Sequence, residues 1–419
     1  MSAYFDAYLD ALETRHPQSR EQALMTRLPQ LIAQAQTAAG WAAILQGVQA
    51  SDIKSRATLA QLPVTRKSDL KQIQRSALPF GGLTTTGVRQ MNRIFMSPGP
   101  IFDPEGRSQD WWRFARPLHA VGLRAGHLIQ NCFSYHFTPA AFMVEGAAAR
   151  IGCTVIPAGT GQTEMQVQAI VELRPDAYVG TPSFLKIIIE KAAEMGADIS
   201  SLQYAVVGAE ALPPSLRLWL QEHGIPNVVQ MYATADIGNI AYETVSGGTL
   251  NPGMILDEDL ILEIVRPATG DLVAEGEVGE VVVTSFNPDY PVIRFGTGDM
   301  SAILPGISPC GRTNTRIKGW MGRADQTTKV KGMFVHPSQV AEVVKRHPEI
   351  RKARLVVTGE LANDTMTLHC ESEIRDAALK AAIVDSLREV TKLRGDVLFV
   401  DHQQLPNDGK VIDDARSYQ

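Results

Sequence analysis

The sequence predicts an α/β protein: a large domain of parallel sheet layers with an antiparallel subdomain, then a small α+β domain. Three observations carry this. From Gly126 to Met231 short apolar runs alternate with longer amphipathic ones, the pattern of strands and helices that build a parallel sheet covered on both faces. Ile255–Val265 and Gly279–Thr284 read as half-buried antiparallel strands, separated by a stretch holding Gly270 and Gly276. After Arg323 the pattern resets into a stretch of about a hundred residues, enough for a module with its own core. Residues 1–322 are therefore expected to form the large domain and residues 323–419 the small one.

The elements follow in order. Ser19–Ala39 reads as a helix, with Leu24, Leu28, Leu31, Ile32 and Ala35 on one stripe and Gly40 as its stop. Leu62-Pro63-Val64-Thr65 turns the chain before a charged segment, Arg66–Arg75. The strand candidates are His127–Phe133, Cys153–Ile156, Ala177–Val179, Tyr204–Val207 and Asn227–Met231. Between them lie helices near Ala140–Arg150, Glu164–Leu173, Pro182–Met195 and Pro214–His223. Pro182 and Pro214 suit a first turn, where the missing N–H has no partner to lose. Gly311–Gly322 has no apolar period and reads as the approach to a linker. Beyond it come a helix at Pro337–His347, strands at Arg354–Thr358 and Met366–Cys370, a helix at Ala377–Lys392 and a strand at Val397–Val400.

Composition narrows the function. The 419 residues are 44% hydrophobic and 20% charged with a formal net charge of −5, so no electrostatic footprint supports nucleic-acid binding. Cys132, Cys153, Cys310 and Cys370 are far apart and form no CxxC pair, so no compact zinc motif or disulfide framework is readable. Met1–Asp10 carries acids and no basic or apolar targeting pattern, and no apolar run reaches the ~20 residues of a membrane span. A cytoplasmic setting without membrane contact is expected.

Ligands of parallel sheets sit beyond the carboxyl ends of strands. The segments there are Gly180-Thr181-Pro182-Ser183, Val207-Gly208-Ala209-Glu210 and Met231-Tyr232-Ala233-Thr234-Ala235-Asp236. Ile293-Arg294-Phe295-Gly296-Thr297-Gly298-Asp299 follows in the antiparallel region, then Gly322-Arg323-Ala324-Asp325, then Gly409-Lys410. In this order they resemble the adenylate-forming superfamily, and within it the phenylacetate–CoA ligase-like family. Ser134-Tyr135-His136, Ile151–Gly159, Lys331-Gly332 and His336–Gln339 extend the likeness, which covers roughly residues 93 to 410.

The resemblance implies a large adenylate-forming domain and a mobile C-terminal lid. It implies activation of an aryl or small acyl carboxylate with ATP and Mg²⁺ through an acyl-adenylate, then transfer to coenzyme A. Partners would be a small carboxylic acid and CoA, and a homodimer is compatible with it. Nucleotide binding falls to Gly208, Ala209 and Glu210, to Met231, Tyr232, Ala233 and Thr234, and to Asp299 and Arg323. Small Gly208 and Ala209 admit a base against the backbone. Tyr232 offers a flat face for adenine and an O–H for the rim. Asp299 suits the two ribose hydroxyls, and Arg323 adds a charge-assisted contact. Asp236 would hold Mg²⁺, a hard cation that wants oxygen ligands. Lys410 would be catalytic, reaching the forming acyl–phosphate oxygens, with Asp325 as the hinge. Tyr135, His136 and Gly180 would line the acid pocket.

Plain structural readings stand beside these. A Gly-Thr-Gly-Asp turn is common, Glu210 could cap the helix after it, and Asp236 could serve a helix N-terminus. Trp111 and Trp112 read as core.

The chain departs from the family where phosphates would be cradled. Met96-Ser97-Pro98-Gly99-Pro100-Ile101-Phe102-Asp103-Pro104-Glu105-Gly106 has three prolines, which remove N–H donors, and two acids. Thr84-Thr85-Thr86 or Arg107 are candidates to take over. The usual Thr-Glu pair is Ala235-Asp236, and Gln326 replaces a second acid. Only Cys310 remains where relatives carry structural zinc, with Thr244 and Asn251 near the other positions, so no zinc is expected. Two other readings stay open: an adenylating enzyme with an acceptor other than CoA, and a nucleotide- or acyl-adenylate-binding homologue with altered catalysis.

Overall fold

The computed structural model describes residues 7–97, 100–266, 269–321, 323–324, 328–331, 333–335, 337–359, 364–402, 404–405 and 411–416. It divides into two compact units, Met1–Met321 and Gly322–Gln419.

The first unit is built on a nine-stranded sheet. Thr154–Ile156, Leu128–Asn131, Ala177–Gly180, Tyr204–Val207 and Asn227–Thr234 run parallel in that spatial order. Gly238–Tyr242, Met254–Leu256, Arg316–Ile317 and Ile303–Leu304 continue it antiparallel. The helices Ala140–Ile151, Thr163–Leu173, Pro182–Met195 and Pro214–Glu222 connect the parallel strands. The Pro182 helix shows why the alternation was readable. Thr181 caps it by accepting from the Phe184 N–H at 3.3 Å, Pro182 fills the first turn, and Leu185, Ile188, Ile189 and Ala192 make its buried stripe.

A second sheet sets Thr65–Arg66 parallel to Val292–Ser301, followed by Gly279–Ser285 and Leu260–Val265. Every residue of the last two strands is buried, so these strands are covered on both faces rather than half-buried as predicted. Pairing of Thr65 with Phe295 and Arg66 with Gly296 joins segments 230 residues apart, and nothing in the local pattern announces it.

Three expectations are corrected. The first long helix runs Pro17–Ala35 and is not stopped by Gly40, which lies inside a second helix, Ala39–Ile44. Gly40 is there because its N–H donates to the Gly82 carbonyl at 2.8 Å, and a Cβ would stand 2.2 Å from the Gly81 carbonyl oxygen. The stretch read as a linker approach contributes the strand Arg316–Ile317 and buries Arg312, Asn314 and Arg316, whose side chains bond carbonyls and Glu13. Its core role was hidden because it is made of polar rather than apolar contacts. Finally, the segment expected where phosphates would be cradled contributes to a strand pair: Arg93–Ser97 pairs antiparallel with Ile101–Glu105.

The N-terminal helix is bound to this unit by an apolar stripe of Leu24, Leu28 and Ile32 and by buried Arg20 against Glu258 at 3.0 Å. Trp111 and Trp112 are core, their rings 4.2 Å apart and edge to face.

The second unit carries a four-stranded sheet in the order Asp396–Val400, Thr365–Ser372, Ile350–Thr358, Ile412–Asp414. Helices Pro337–Arg346 and Ala377–Thr391 and a short hairpin, Thr328–Val330 with Met333–Val335, complete it. Val343, Leu355, Leu368, Ile383 and Leu387 form its own core.

Candidate active site

The parallel strand Asn227–Thr234 and the strand Val292–Ser301 of the second sheet bring Tyr232 and Asp299 together. The Tyr232 hydroxyl donates to Asp299 Oδ2 at 3.0 Å and lies 3.1 Å from Thr297 Oγ1. Trp320 Nε1 donates to the other carboxylate oxygen, Oδ1, at 3.1 Å. Asp299 is 8% exposed, so it is fixed in rotamer yet reachable from one side. A carboxylate accepts several hydrogen bonds at once, so such an acid is suited to hydroxyl donors. The strand places the Tyr232 O–H inward, on Asp299 and Thr297.

Asp236 sits on the turn between Asn227–Thr234 and Gly238–Tyr242. It is buried, and its Oδ2 accepts from Lys67 Nζ at 2.6 Å. Lys67 follows directly on the strand Thr65–Arg66, whose parallel pairing with Phe295–Gly296 brings the ammonium within the electrostatic influence of Asp299. Burial alone would lower the Lys67 pKa. The charge and hydrogen bond of Asp236, with the charges of Asp103 and Asp299, outweigh it and raise the ammonium above its ordinary value.

Asp103 comes from the hairpin. It is 1% exposed, and burial, then the charge of Asp236, push its carboxyl up to about 8 against the opposing pull of Lys67. Tyr290 is buried beside both acids, and desolvation followed by their charges raises its phenol well above the usual range. The charges of three carboxylates from three separate parts of the chain thus act on one ammonium. Two buried oxygens of this cluster, Asp236 Oδ1 and Asp103 Oδ2, have no hydrogen-bond partner among the described residues. Buried acceptors are normally satisfied, and the Asp236 oxygen fits an oxygen-seeking cation.

The small residues lie on the adjoining strand ends. Gly208 N–H donates to the Gly180 carbonyl at 3.1 Å. A Cβ on Gly180 would stand 2.3 Å from the Tyr178 hydroxyl, and one on Gly208 3.1 Å from Met231. Ala209 takes a left-handed conformation with φ 63°. Glu210 offers its carbonyl to Gln230 Nε2 at 3.1 Å. Met231 is buried, Ala233 is half-buried beside it, and Thr234 Oγ1 accepts from the Ile237 N–H at 3.2 Å, closing the turn that carries Asp236.

Tyr135 is half-buried and its hydroxyl donates to Glu145 at 2.6 Å while accepting from Asn131 at 2.9 Å. Desolvation and Glu145 raise its phenol. His136 is exposed, its ring edge to face with Phe137, so it stands apart from the Tyr135 cluster. Arg323 opens the second unit and is half-buried. Asp325 and Lys410 lie outside the described residues.

The stand-ins for a phosphate loop are otherwise engaged. Thr85 and Thr86 hydroxyls bond the Pro288 carbonyl and Asp289, and Arg107 bonds the carbonyls of Gln90 and Met91 at 3.0 and 3.3 Å. Glu105 is paired with Arg93 at 2.9 Å. Lys67 and Trp320 were not singled out from the sequence. The only signal for Lys67 was a basic pair after Leu-Pro-Val-Thr. Asn251 Nδ2 donates to Thr244 Oγ1 at 3.1 Å, and Ser308 Oγ lies 3.1 Å from the Cys310 thiol, whose pKa is lowered, against the effect of burial, by hydrogen bonding from Ser308 and Thr244.

Among the described residues no group of three or more His, Cys, Asp or Glu is arranged to hold a metal ion, and no helix is long and apolar enough to cross a membrane.

A family model described as AMP-binding enzyme matches residues 117–287. The phenylacetate-coenzyme A ligase of Escherichia coli (strain K12) is 32% identical over 311 residues, 71% of this chain and 69% of that protein. The phenylacetate-coenzyme A ligase of Aromatoleum evansii is 29% identical over 340 residues, 78% of this chain and 75% of that protein. Among solved structures, a 2-hydroxyisobutyryl-CoA ligase in complex with 2-HIB-AMP and CoA superposes with a TM-score of 0.77 at 23% identity, covering 99% of this chain and 95% of that one. That likeness concerns the fold.

Proposed function

The chain belongs to the phenylacetate-coenzyme A ligase family of AMP-binding enzymes, and on that premise we propose how its own residues carry the reaction of an AMP-forming acid–CoA ligase. In the first half-reaction a carboxylate oxygen bonds to the α-phosphorus of ATP, the bond to the β-phosphate oxygen breaks, and pyrophosphate leaves. In the second, the sulfur of CoA bonds to the acyl carbon, AMP leaves, and the thiol proton passes to solvent.

Positioning and charge stabilisation do most of this work. Asp299, held by Tyr232 and Trp320, takes the ribose hydroxyls. Gly208, Ala209 and Glu210, with Met231 to Thr234, form the wall for the base, where the close packing at Gly208 and Gly180 leaves no room for a larger side chain. Lys67 supplies positive charge at the phosphate side. Asp236 holds Mg²⁺, whose chemistry there is to neutralise charge on the phosphate oxygens. Arg323, Lys410 and the hinge residue Asp325 act from the second unit. Tyr135 and Gly180 bound the acid pocket; exposed His136 belongs at its mouth. We read the acid as aryl or small acyl, the enzyme as cytoplasmic, and a homodimer as its assembly.

The observation that carries this reading is the convergence of Tyr232, Trp320 and Lys67 on Asp299 and Asp236. It is tested by incubating the protein with MgATP, CoA and a panel of aryl and short-chain acids. Acyl-CoA and AMP should form in equal amounts with a preferred acid, and Asp299→Ala should abolish both. AMP formation without acyl-CoA would point to another acceptor.

A further inference from the structure

Tyr135 is held at three points. It follows the strand Leu128–Asn131 and stands beyond the carboxyl end of a parallel strand, where ligands of such sheets bind. From the neighbouring strand end, a Cβ on Gly159 would come 3.9 Å from its ring. The helix Ala140–Ile151 supplies two of the holds from residues three apart on one face: Phe142 meets the ring edge to face with centroids 5.4 Å apart, and Glu145 Oε1 accepts from the hydroxyl at 2.6 Å. The third hold is Asn131, and it fixes the direction of the bonds. Asn131 Nδ2 donates to the Ala141 carbonyl at 3.0 Å and to the Tyr135 oxygen at 2.9 Å, while Asn131 Oδ1 accepts from the Phe133 N–H at 3.3 Å. Turning the amide would set acceptor against acceptor at Ala141 and donor against donor at Phe133. Asn131 therefore gives and Tyr135 takes. A phenol has one proton, and it goes to Glu145.

Resting on the acid pocket proposed above, we propose that Glu145 is a positioning residue for the acid: it takes the single proton of Tyr135, pins the ring in one rotamer, and leaves the acyl group an aromatic wall with no O–H to give. Phe142 limits the tilt of that ring, being itself packed on Phe95 at 5.3 Å and covered by the Arg93 guanidinium at 4.6 Å. Fixing the two torsions of a tyrosine before the acid arrives removes an ordering cost from binding. Tyr135 meets the acyl part and not the reacting carboxylate, so this support acts alike on bound acid and transition state, and its loss raises KM rather than lowering kcat. Glu145 acts through Tyr135 and not on the acid.

The test is a double-mutant cycle on the full chain. Acyl-CoA formation is followed with MgATP, CoA and, in turn, phenylacetate, benzoate and butyrate, and the constants are taken with the acid turned over fastest. Glu145→Leu and Tyr135→Phe should each raise the KM of that acid about tenfold, the scale of one hydrogen bond to a charged group, and neither should raise the KM of ATP. The double variant should be no worse than either single one, because each removes the same bond. Glu145→Gln keeps an acceptor oxygen and should raise the acid KM far less. Near-UV circular dichroism checks folding; Glu145→Ala replaces Glu145→Leu if the latter does not fold. A residue that only held its helix in place would add its loss to that of Tyr135→Phe. Additive losses, a wild-type acid KM in Glu145→Leu, or a fall in kcat with KM unchanged overturns the inference and leaves the ligase reading standing. No acyl-CoA from the wild type with any of the three acids overturns both.

Discussion

Replacing Lys67 by Met removes the ammonium from the centre of the acidic cluster. Its Nζ stands 2.6 Å from Asp236 Oδ2, and the side chains are 28% and 1% exposed. Unit charges at that separation attract by about 6 kcal/mol at an effective dielectric near 20. Solvation of Lys67 offsets part of this, while the stranded Asp236 adds to the loss. Breaking a buried pair on one side costs about 3–5 kcal/mol, and Lys67→Met is predicted to fall there. Lys67→Met with Asp236→Asn should recover most of it, because no charge is left unpaired. All five tryptophans lie in the first unit, so urea unfolding followed by tryptophan fluorescence reports on that unit alone. A loss under about 1 kcal/mol, the range of exposed pairs, or a double variant as unstable as the single, would refute the reasoning.

Other expectations follow from the same geometry. Asp103 has a folded pKa near 8 against an ordinary 3.8, so the folded state holds its proton where the unfolded state has lost it. Its contribution to stability is full below about pH 4 and is lost as pH rises towards 8; in EDTA the wild-type melting temperature should fall more steeply from pH 5 to 8 than that of Asp103→Asn, and parallel profiles would contradict this. Tyr232→Phe and Trp320→Phe each remove one donor to Asp299 and should weaken AMP binding, measured by calorimetry, by about 0.5–1.5 kcal/mol; unchanged affinity would remove Asp299 from the ribose. Gly40→Ala puts a Cβ 2.2 Å from the Gly81 carbonyl oxygen and should destabilise the first unit by about 3 kcal/mol in the urea assay.

What was legible in the sequence was local. The helix Pro182–Met195 and the strand Tyr204–Val207 have the predicted bounds, because a cap, a first-turn proline and an apolar stripe are all near-neighbour signals. Asp299 and Tyr232 were legible through motif order. Lys67 was not, because its place depends on Thr65–Arg66 pairing with Phe295–Gly296. Trp320 was hidden in a segment read as linker, whose burial rests on hydrogen bonds rather than on a hydrophobic period. The two acids of the proline-rich segment have different fates: Glu105 is neutralised by Arg93, whereas Asp103 is buried where the charge of Asp236 acts on it. Only the register of the hairpin separates them.

The central claim is that this chain activates an acid with ATP although its hairpin presents a carboxylate where phosphate donors are usual. Acid-dependent ATP–pyrophosphate exchange without CoA tests it most directly, with Lys410→Ala beside the wild type. The account predicts exchange stimulated by an aryl or small acyl acid and lost in Lys410→Ala. No exchange with any acid, while AMP still raises the melting temperature, would contradict it and leave a protein that holds the nucleotide without making the adenylate.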